Sequence, residues 1–516
     1  MDLLRVCLNA LELEARDWVR AACRAKGHAL GSPGEGEEWL AGPVPVIRNL
    51  RLLMHAIESG RTPPLPSGRQ GPGDRQIVDV FPASRREGLM FGGLRGEIWL
   101  QPGKPPTQGD WGANGGKLCA VLGAGNQTSI APMDVLYKMF VEGQVCVLKM
   151  NPVNAYVGPY IVRAFWKLIE ANYFTVVYGG AELGAALCAH PAVETIHVTG
   201  SHHTHDAIVW GADADERADR KARGEPRNTR PITSELGCVT PILVSPGQWS
   251  DAALKQQARQ AATMLSHNGG FNCNAGQVLL MSRGWPQRQA FLSELVGALE
   301  GIGPRRAYYP GARDRWQQML GRYPDARQIG SDDGESLPWT MADDIPLRPG
   351  ESAFNDEAFC SFFGVTYLEP ADPAGFLREA VAFCNDHVWG NLSAAILHGE
   401  GTDTGALQEA VADLRYGTIG VNVWPGVAFG LAVMPWGAHP GNPLDDVQSG
   451  VGMVHNTLLL DHVQKGVLWA PPVTRPEPVW FVDNPAGPRI GPRLVSFETS
   501  PRLWKLPGLA VAALRR

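Results

Sequence analysis

From Lys117 onward, short apolar runs alternate with segments whose apolar residues recur at helical spacing. KLCAVLGAG (from Lys117), QVCVLKMNP (from Gln144), FTVVYGG (from Phe174) and ETIHVTGS (from Glu194) read as buried strands, the first ending in a Gly turn. APMDVLYKMFVEG (from Ala131), YIVRAFWKLIEANY (from Tyr160) and AELGAALCAHP (from Ala181) read as the helices between them. Strands apolar on both faces need covering on both faces, so the alternation predicts parallel βαβ units. Ligands in such sheets bind beyond the carboxyl ends of the strands. A second α/β pattern starts near Pro241 (PILVSPG) and runs to about residue 424 through VLLMSRG, FFGVTYLEP and a helix around DPAGFLREAVAFCND.

The flanks differ. Residues 1–70 read as mostly helical, followed by a Pro/Gly-rich link from Pro63, and Tyr309 to Gly350 reads as irregular surface. After Gly452 comes a tail in which GVLWAPP (from Gly466) reads as a strand. The Pro-rich stretch beyond it is expected to wrap over this subunit or a neighbour.

Composition narrows the class. A chain of 516 residues with 44% hydrophobic content can bury two or three domain cores. Net charge is −6 and spread out, without the basic stripe that tracks phosphates, which argues against nucleic acid as a partner. No apolar run reaches about 18 residues, so no membrane span is expected, and the first residues lack a signal-peptide pattern. The nine cysteines are scattered and lack CxxC spacing, which fits reduced thiols in the cytoplasm.

Several residues could carry chemistry. Asn126 follows the first strand's Gly turn, where a side-chain amide can donate to an oxyanion or merely stabilise its own turn. Lys149 closes the next strand, within reach of a ribose or phosphate. Gly200 and Ser201 end the fourth strand and open a helix whose N–H groups could hold a pyrophosphate. Glu235 lies among apolar residues in PITSELGCVTPILV, where burial raises a carboxyl pKa toward that of a useful base. Cys273 sits in HNGGFNCNAG, a Gly/Asn loop between helix and strand; by its loop alone it is an ordinary cysteine. His197, His202, His203 and His205 surround the fourth strand's end, but no Cys or carboxylate completes a metal site, so no metal is expected.

In order and spacing the set resembles the aldehyde dehydrogenase superfamily, over roughly Lys117 to Asn456. The resemblance implies that Cys273 is the nucleophile, Glu235 (in SELG) the general base 38 residues earlier, and Asn126 the oxyanion donor. It implies that Lys149 binds a ribose, that Ser201 in VTGS meets the pyrophosphate with Gly200, and that Glu357 and Phe359, in an E-x-F motif, hold the nicotinamide ribose. Gly184 and Leu236 complete the implied cofactor set. NDHVWGNLSAAI and the VNVWP…MPWGAHPGNPLDDVQSGVG segment match further family motifs. Gln127, Asp134, Trp424 and Phe429 fall where relatives line the substrate tunnel, and this composition hints at a polar or bulky aldehyde. Cys238, Phe271, His205, Cys360 and Ser361 depart from the usual motifs. Pro152, three residues after Lys149, leaves NAD or NADP open.

The implied fold is α/β: a Rossmann-type cofactor domain, a second α/β catalytic domain and a small bridging or oligomerisation β element. Its expected divisions are an N-terminal helical part (1–90), a bridging hairpin (91–116), the NAD(P)-binding domain (117–236) and the catalytic domain (237–440). A return to the cofactor domain (441–464) and an oligomerisation strand with C-terminal extension (465–516) complete them. GVLWAPP resembles the strand with which relatives join subunits, implying a homodimer or homotetramer. The implied activity is NAD(P)-dependent oxidation of an aldehyde to a carboxylic acid. The alternatives are a CoA-acylating dehydrogenase or acyl-CoA reductase, and a silent binding or structural homologue.

Overall fold

The β-branched runs after Lys117 do become parallel strands. The computed structural model describes residues 1–60, 63–109, 112 and 115–514. Leu118–Leu122, Val145–Met150, Phe174–Tyr178, Thr195–Gly200 and Ile232–Leu236 form one sheet, edged by the short antiparallel strand Gly450–Val451. The chain starts this sheet at Leu118–Leu122, adds two strands on one side, then returns to add two on the other. The reversal opens a crevice between the carboxyl ends of Leu118–Leu122 and Thr195–Gly200, where α/β sheets bind ligands.

The second sheet has eleven strands. Its parallel centre is Trp339–Ala342, Phe362–Leu368, Gly276–Ser282, Thr240–Val244, Ser393–Leu397 and Thr418–Val421, with Arg327–Ile329 antiparallel at one end. At the other end Val463–Trp469 runs parallel to Thr418–Val421 and antiparallel to Arg95–Leu100. Arg75–Phe81 and Gly68–Gly71 complete that side. Both edges of Val463–Trp469, the strand expected to join subunits, are therefore taken up within the chain, which rules out joining by edge-to-edge pairing of this strand. Lys465 fixes the strand further: it is 1% exposed and its ammonium donates to the carbonyls of Val411, Ala412 and Leu414, where the helix Thr404–Asp413 ends.

Two segments differ from expectation. Residues 309–350 hold the helix Ala312–Arg322 and three short strands. That helix buries only Ala312, Trp316 and Met319, too narrow an apolar stripe to stand out among its charges. The link after Pro63 contains Gly68–Gly71, whose strand identity comes from pairing with Arg75–Phe81 rather than from composition. Of the expected bridging hairpin, Arg95–Leu100 is a strand, while Asp110, Trp111, Ala113 and Asn114 lie outside the described residues. No helix among the described residues is long and apolar enough to cross a membrane.

Both termini pack together. The helix Asp2–Lys26 buries Leu4, Leu8, Leu11, Ala15 and Trp18, three or four residues apart, and ends at Gly27 with φ 75°. The C-terminal helix Gly487–Thr499 lies against Pro33–Leu40 and Pro43–Glu58. Its closest approach needs two glycines: a Cβ on Gly36 would stand 2.7 Å from Gly487 Cα. Beneath it Arg48, 4% exposed, donates to Glu87 (2.6 Å), Glu498 (2.9 Å) and the Leu431 carbonyl (2.6 Å), and Glu498 also takes Arg51 at 2.6 Å. Removing one partner of a buried ion pair leaves the other uncompensated, at a cost of about 3–5 kcal/mol. Glu498→Ala is thus expected to lower the temperature of thermal unfolding well below that of Glu498→Gln, which keeps one acceptor. Equal melting of Glu498→Ala and the parent protein would show that the ion pairs do not hold the C-terminal helix.

Candidate active site

Cys273 lies between the helix Asp251–Ser266 and the strand Gly276–Ser282. The chain reverses there through Asn268, Gly269 and Gly270 at φ 56°, 69° and 82°. Gly270 is obligatory, because a Cβ would lie 2.7 Å from the Cys360 carbonyl oxygen. Side-chain amides then lock the loop. Asn268 donates to the carbonyls of Asn126 (3.2 Å) and Phe271 (3.0 Å), and its own oxygen accepts from Tyr308 at 3.0 Å. Asn272 donates to the His267 carbonyl at 3.1 Å and accepts from Gln127 at 2.7 Å. Glu37, from the N-terminal helices, accepts the Asn268 N–H at 2.8 Å and is itself paired with Arg305 at 2.8 Å. Phe271 stacks with Tyr308, Tyr309 and Phe359, so the departure from the usual motif fills an aromatic cluster behind the loop.

This loop holds Cys273 half-buried beside Glu235, which is buried, and near Glu357, which is half-buried. Glu235 comes from the edge of the cofactor-side sheet, is hydrogen-bonded to the Cys273 thiol, and accepts from Trp436 Nε1 at 3.3 Å. Burial raises the Glu235 carboxyl to about 7, despite those two hydrogen bonds. Burial, then the Glu235 carboxyl, hold the thiol well above its ordinary value. Asn126 donates one amide hydrogen to the Phe271 carbonyl at 3.0 Å. Its second amide hydrogen and the Cys273 backbone N–H meet no acceptor among the described residues.

Two cavities meet at Cys273 and Asn126, which line both. The larger, about 1370 Å³, fills the crevice at the strand reversal. Lys149, Gly184, Gly200, Ser201, Glu235, Glu357 and Phe359 all reach its wall; Leu236 does not, since neighbours along a strand face opposite ways and it is fully buried. Lys149 is 9% exposed with no hydrogen bond or ion pair among the described residues, an unanswered cation on the cavity wall. Ser201 caps the helix His202–Val209, whose first N–H groups open on the same crevice. A Cβ on Gly237 would sit 2.1 Å from the Glu357 carboxyl oxygen, so this glycine leaves that side chain its place. Glu357 accepts the Cys238 N–H at 3.2 Å, and burial raises its carboxyl to about 8. Phe359 is held at φ 41°, its carbonyl accepting from Arg315 at 3.1 Å.

Gln127, Trp424 and Phe429 line the smaller cavity, on the other side of Cys273. Asp134 does not, which corrects its assignment to the tunnel. It turns beneath the cofactor-side sheet, accepts from Thr199 at 2.8 Å and faces His197 at 3.4 Å. The hint of a polar aldehyde that leaned on it loses its footing, since the wall is otherwise largely aromatic and aliphatic. Of the histidines, His202 and His203 line the large cavity, their rings 3.9 Å apart, while His197 and His205 are buried. Among the described residues no group of three or more His, Cys, Asp or Glu is set to hold a metal. Sequence reasoning passed over Glu37, Asn268, Tyr308 and Trp436. The three asparagines crowded around Cys273 were a visible signal for Asn268; the others are brought in only by folding.

A model of the aldehyde dehydrogenase family matches residues 118–305. Among curated relatives, 4-trimethylaminobutyraldehyde dehydrogenase B of Danio rerio is 32% identical over 162 residues, 31% of this chain and 27% of that protein. Betaine aldehyde dehydrogenase 2 of Rhizobium meliloti (strain 1021) is 29% identical over 134 residues, 26% of this chain and 24% of that protein. The matched segment thus spans only about a quarter of the length of these relatives. Two solved structures share the fold over most of the chain. An indole-3-acetaldehyde dehydrogenase complexed with NAD+ superposes with a TM-score of 0.62 at 18% identity, covering 91% of this chain and 83% of that one. The NADP-dependent glyceraldehyde-3-phosphate dehydrogenase from Bacillus halodurans C-125, complexed with NADP, gives 0.60 at 18% identity, covering 91% and 86%. The family match covers the strand reversal and the Cys273 loop, and the solved structures share the fold of the chain around them.

Proposed function

We propose that this chain oxidises an aldehyde to a carboxylic acid with NAD or NADP as acceptor, using Cys273 as nucleophile and Glu235 as general base. The observation that carries this reading is the meeting of two cavities at Cys273 and Asn126, one of dinucleotide size and one largely apolar. The larger suits a dinucleotide: it lies at a strand reversal, presents an unpaired Lys149 and a helix N-terminus, and has Glu357 at its catalytic end. A nicotinamide dinucleotide bound there supplies the hydride acceptor. Solved neighbours carry NAD+ or NADP, and both remain candidates here.

The residues divide the work as follows. Glu235 takes the thiol proton of Cys273 as the sulfur adds to the aldehyde carbon. The Asn126 amide and the Cys273 N–H hold the resulting oxyanion. Loss of hydride from that carbon leaves a thioester on Cys273. Once Glu235 has released that proton to solvent, it takes a proton from the water that attacks the thioester; the C–S bond breaks, the carboxylic acid departs, and the proton on Glu235 returns to the sulfur. A buried acid poised near 7 beside the sulfur favours water over coenzyme A as the acceptor. The nine free cysteines fit a reducing compartment, and we assign the chain to the cytoplasm.

Three outcomes test the assignment. Cys273→Ala is expected to abolish NAD(P)-dependent aldehyde oxidation, and retained activity would sink the mechanism. As a base, Glu235 works only when ionised, so kcat/KM is expected to rise with pH through about 7. Glu235→Gln is expected to remove that rise and cost about 10²–10⁴-fold in rate, with the product analysed both with and without coenzyme A. Lys149→Ala removes a charged hydrogen bond worth about 1.5–3 kcal/mol and is expected to raise the cofactor KM at least about tenfold; an unchanged cofactor KM would remove Lys149 from the site.

A further inference from the structure

The smaller cavity indicates what the aldehyde carries. Its volume is about 140 Å³, close to the roughly 150 Å³ apolar cavity that takes up one benzene molecule. Phe91, Trp424, Phe429, Trp436, Trp480 and Phe481 give its wall six aromatic side chains. Trp480 and Phe481 belong to the C-terminal segment, which lies outside the sequence resemblance. That segment is tied to the catalytic domain by several contacts: Trp480 Nε1 donates to Gln260 at 3.3 Å, Arg259 lies 5.0 Å over the Phe481 ring, and Arg259 pairs with Asp483 at 2.9 Å.

The charged side chains lining the cavity are Glu37, Arg48 and Glu498, and each is already answered. Glu37 is paired with Arg305, and Arg48 lies between Glu87 and Glu498. The second Glu498 oxygen is taken by Arg51. Two arginines face two glutamates, so the cluster offers no spare charge of either sign. The neighbouring His267 is kept neutral by burial, with its ring against Trp424 at 4.5 Å. A carboxylate entering this cavity would lose its hydration without gaining a partner, and the electron-rich ring faces would repel it further.

We propose that the pocket on this side of Cys273 takes an aldehyde without a carboxylate, bearing one aromatic ring or an alkyl chain of similar bulk, selected by the wall that Trp480 and Phe481 supply. This rests on the reading of Cys273 as the nucleophile. The test compares kcat/KM of the protein for benzaldehyde and hexanal with that for succinic semialdehyde. The neutral pair is expected to lead the anionic aldehyde at least about 100-fold. Trp480→Ala and Phe481→Ala, each checked for intact thermal unfolding, are expected to narrow that ratio about tenfold, mainly through KM for the neutral aldehydes. Equal or better turnover of the anionic aldehyde, or an unmoved ratio in both variants, overturns the proposal. Binding is read separately from chemistry by titrating the tryptophan fluorescence of Cys273→Ala with hexanal and with succinic semialdehyde. Hexanal binding alone, with no turnover by the parent protein, supports the pocket while refuting the nucleophile assignment. Equal binding of both, or of neither, refutes the pocket.

Discussion

Everything chemical in this protein depends on a buried set of amide hydrogen bonds around Asn268. A loop threaded through the interior would leave its carbonyls and N–H groups unsatisfied, where each costs free energy comparable to a lost hydrogen bond. Asn268 bonds two carbonyls and a phenol, Asn272 serves its own loop and Gln127, and Glu37 holds the Asn268 N–H from outside. Because these partners come from the N-terminal helices, the cofactor-side sheet and the catalytic sheet, the loop has one low-energy arrangement. The half-buried sulfur inherits its position from them.

The electrostatics follow from the same enclosure. A cysteine beside lysine or histidine rests as a thiolate, whereas Cys273 lies beside Glu235, with Glu357 also raising its pKa. It therefore rests neutral, and its proton has one nearby destination, the Glu235 carboxylate. Lys149, by contrast, lines the large cavity without a partner among the described residues, and Arg315 faces Glu357 across the same wall.

Much of the fold was legible in the sequence because buried parallel strands announce themselves: LCAVL, VCVLK and TIHVT have few polar positions to confuse them. The residues set at strand ends, Lys149, Gly200 and Glu235, could be placed for the same reason, since a strand end fixes where a side chain emerges. Tertiary neighbours could not. Glu37 and Trp436 lie far from Cys273 in the chain, and nothing local marks either as its support. Asp134 illustrates the opposite error: its helix was placed correctly, but one side of that helix faces the sheet, and Thr199 and His197 give the carboxylate its bonds there. Residues 309–350 were unreadable because strands as short as Ser336–Leu337 take their identity from pairing rather than from pattern.

The enclosure of Val463–Trp469 between Thr418–Val421 and Arg95–Leu100 bears on how the chain comes to be folded at all. The hairpin of Arg75–Phe81 and Arg95–Leu100 leaves the ribosome well before Val463–Trp469, the strand that docks it to the rest of the eleven-stranded sheet. Until then the hairpin has an open hydrogen-bonding edge and an uncovered apolar face, a template for pairing with other nascent chains. Contacts of such long sequence separation also form slowly, because the loop they close must be ordered first. Synthesis of the C-terminal region is therefore the committing step for the whole second sheet, and truncation before Val463 leaves a chain with its hairpin undocked.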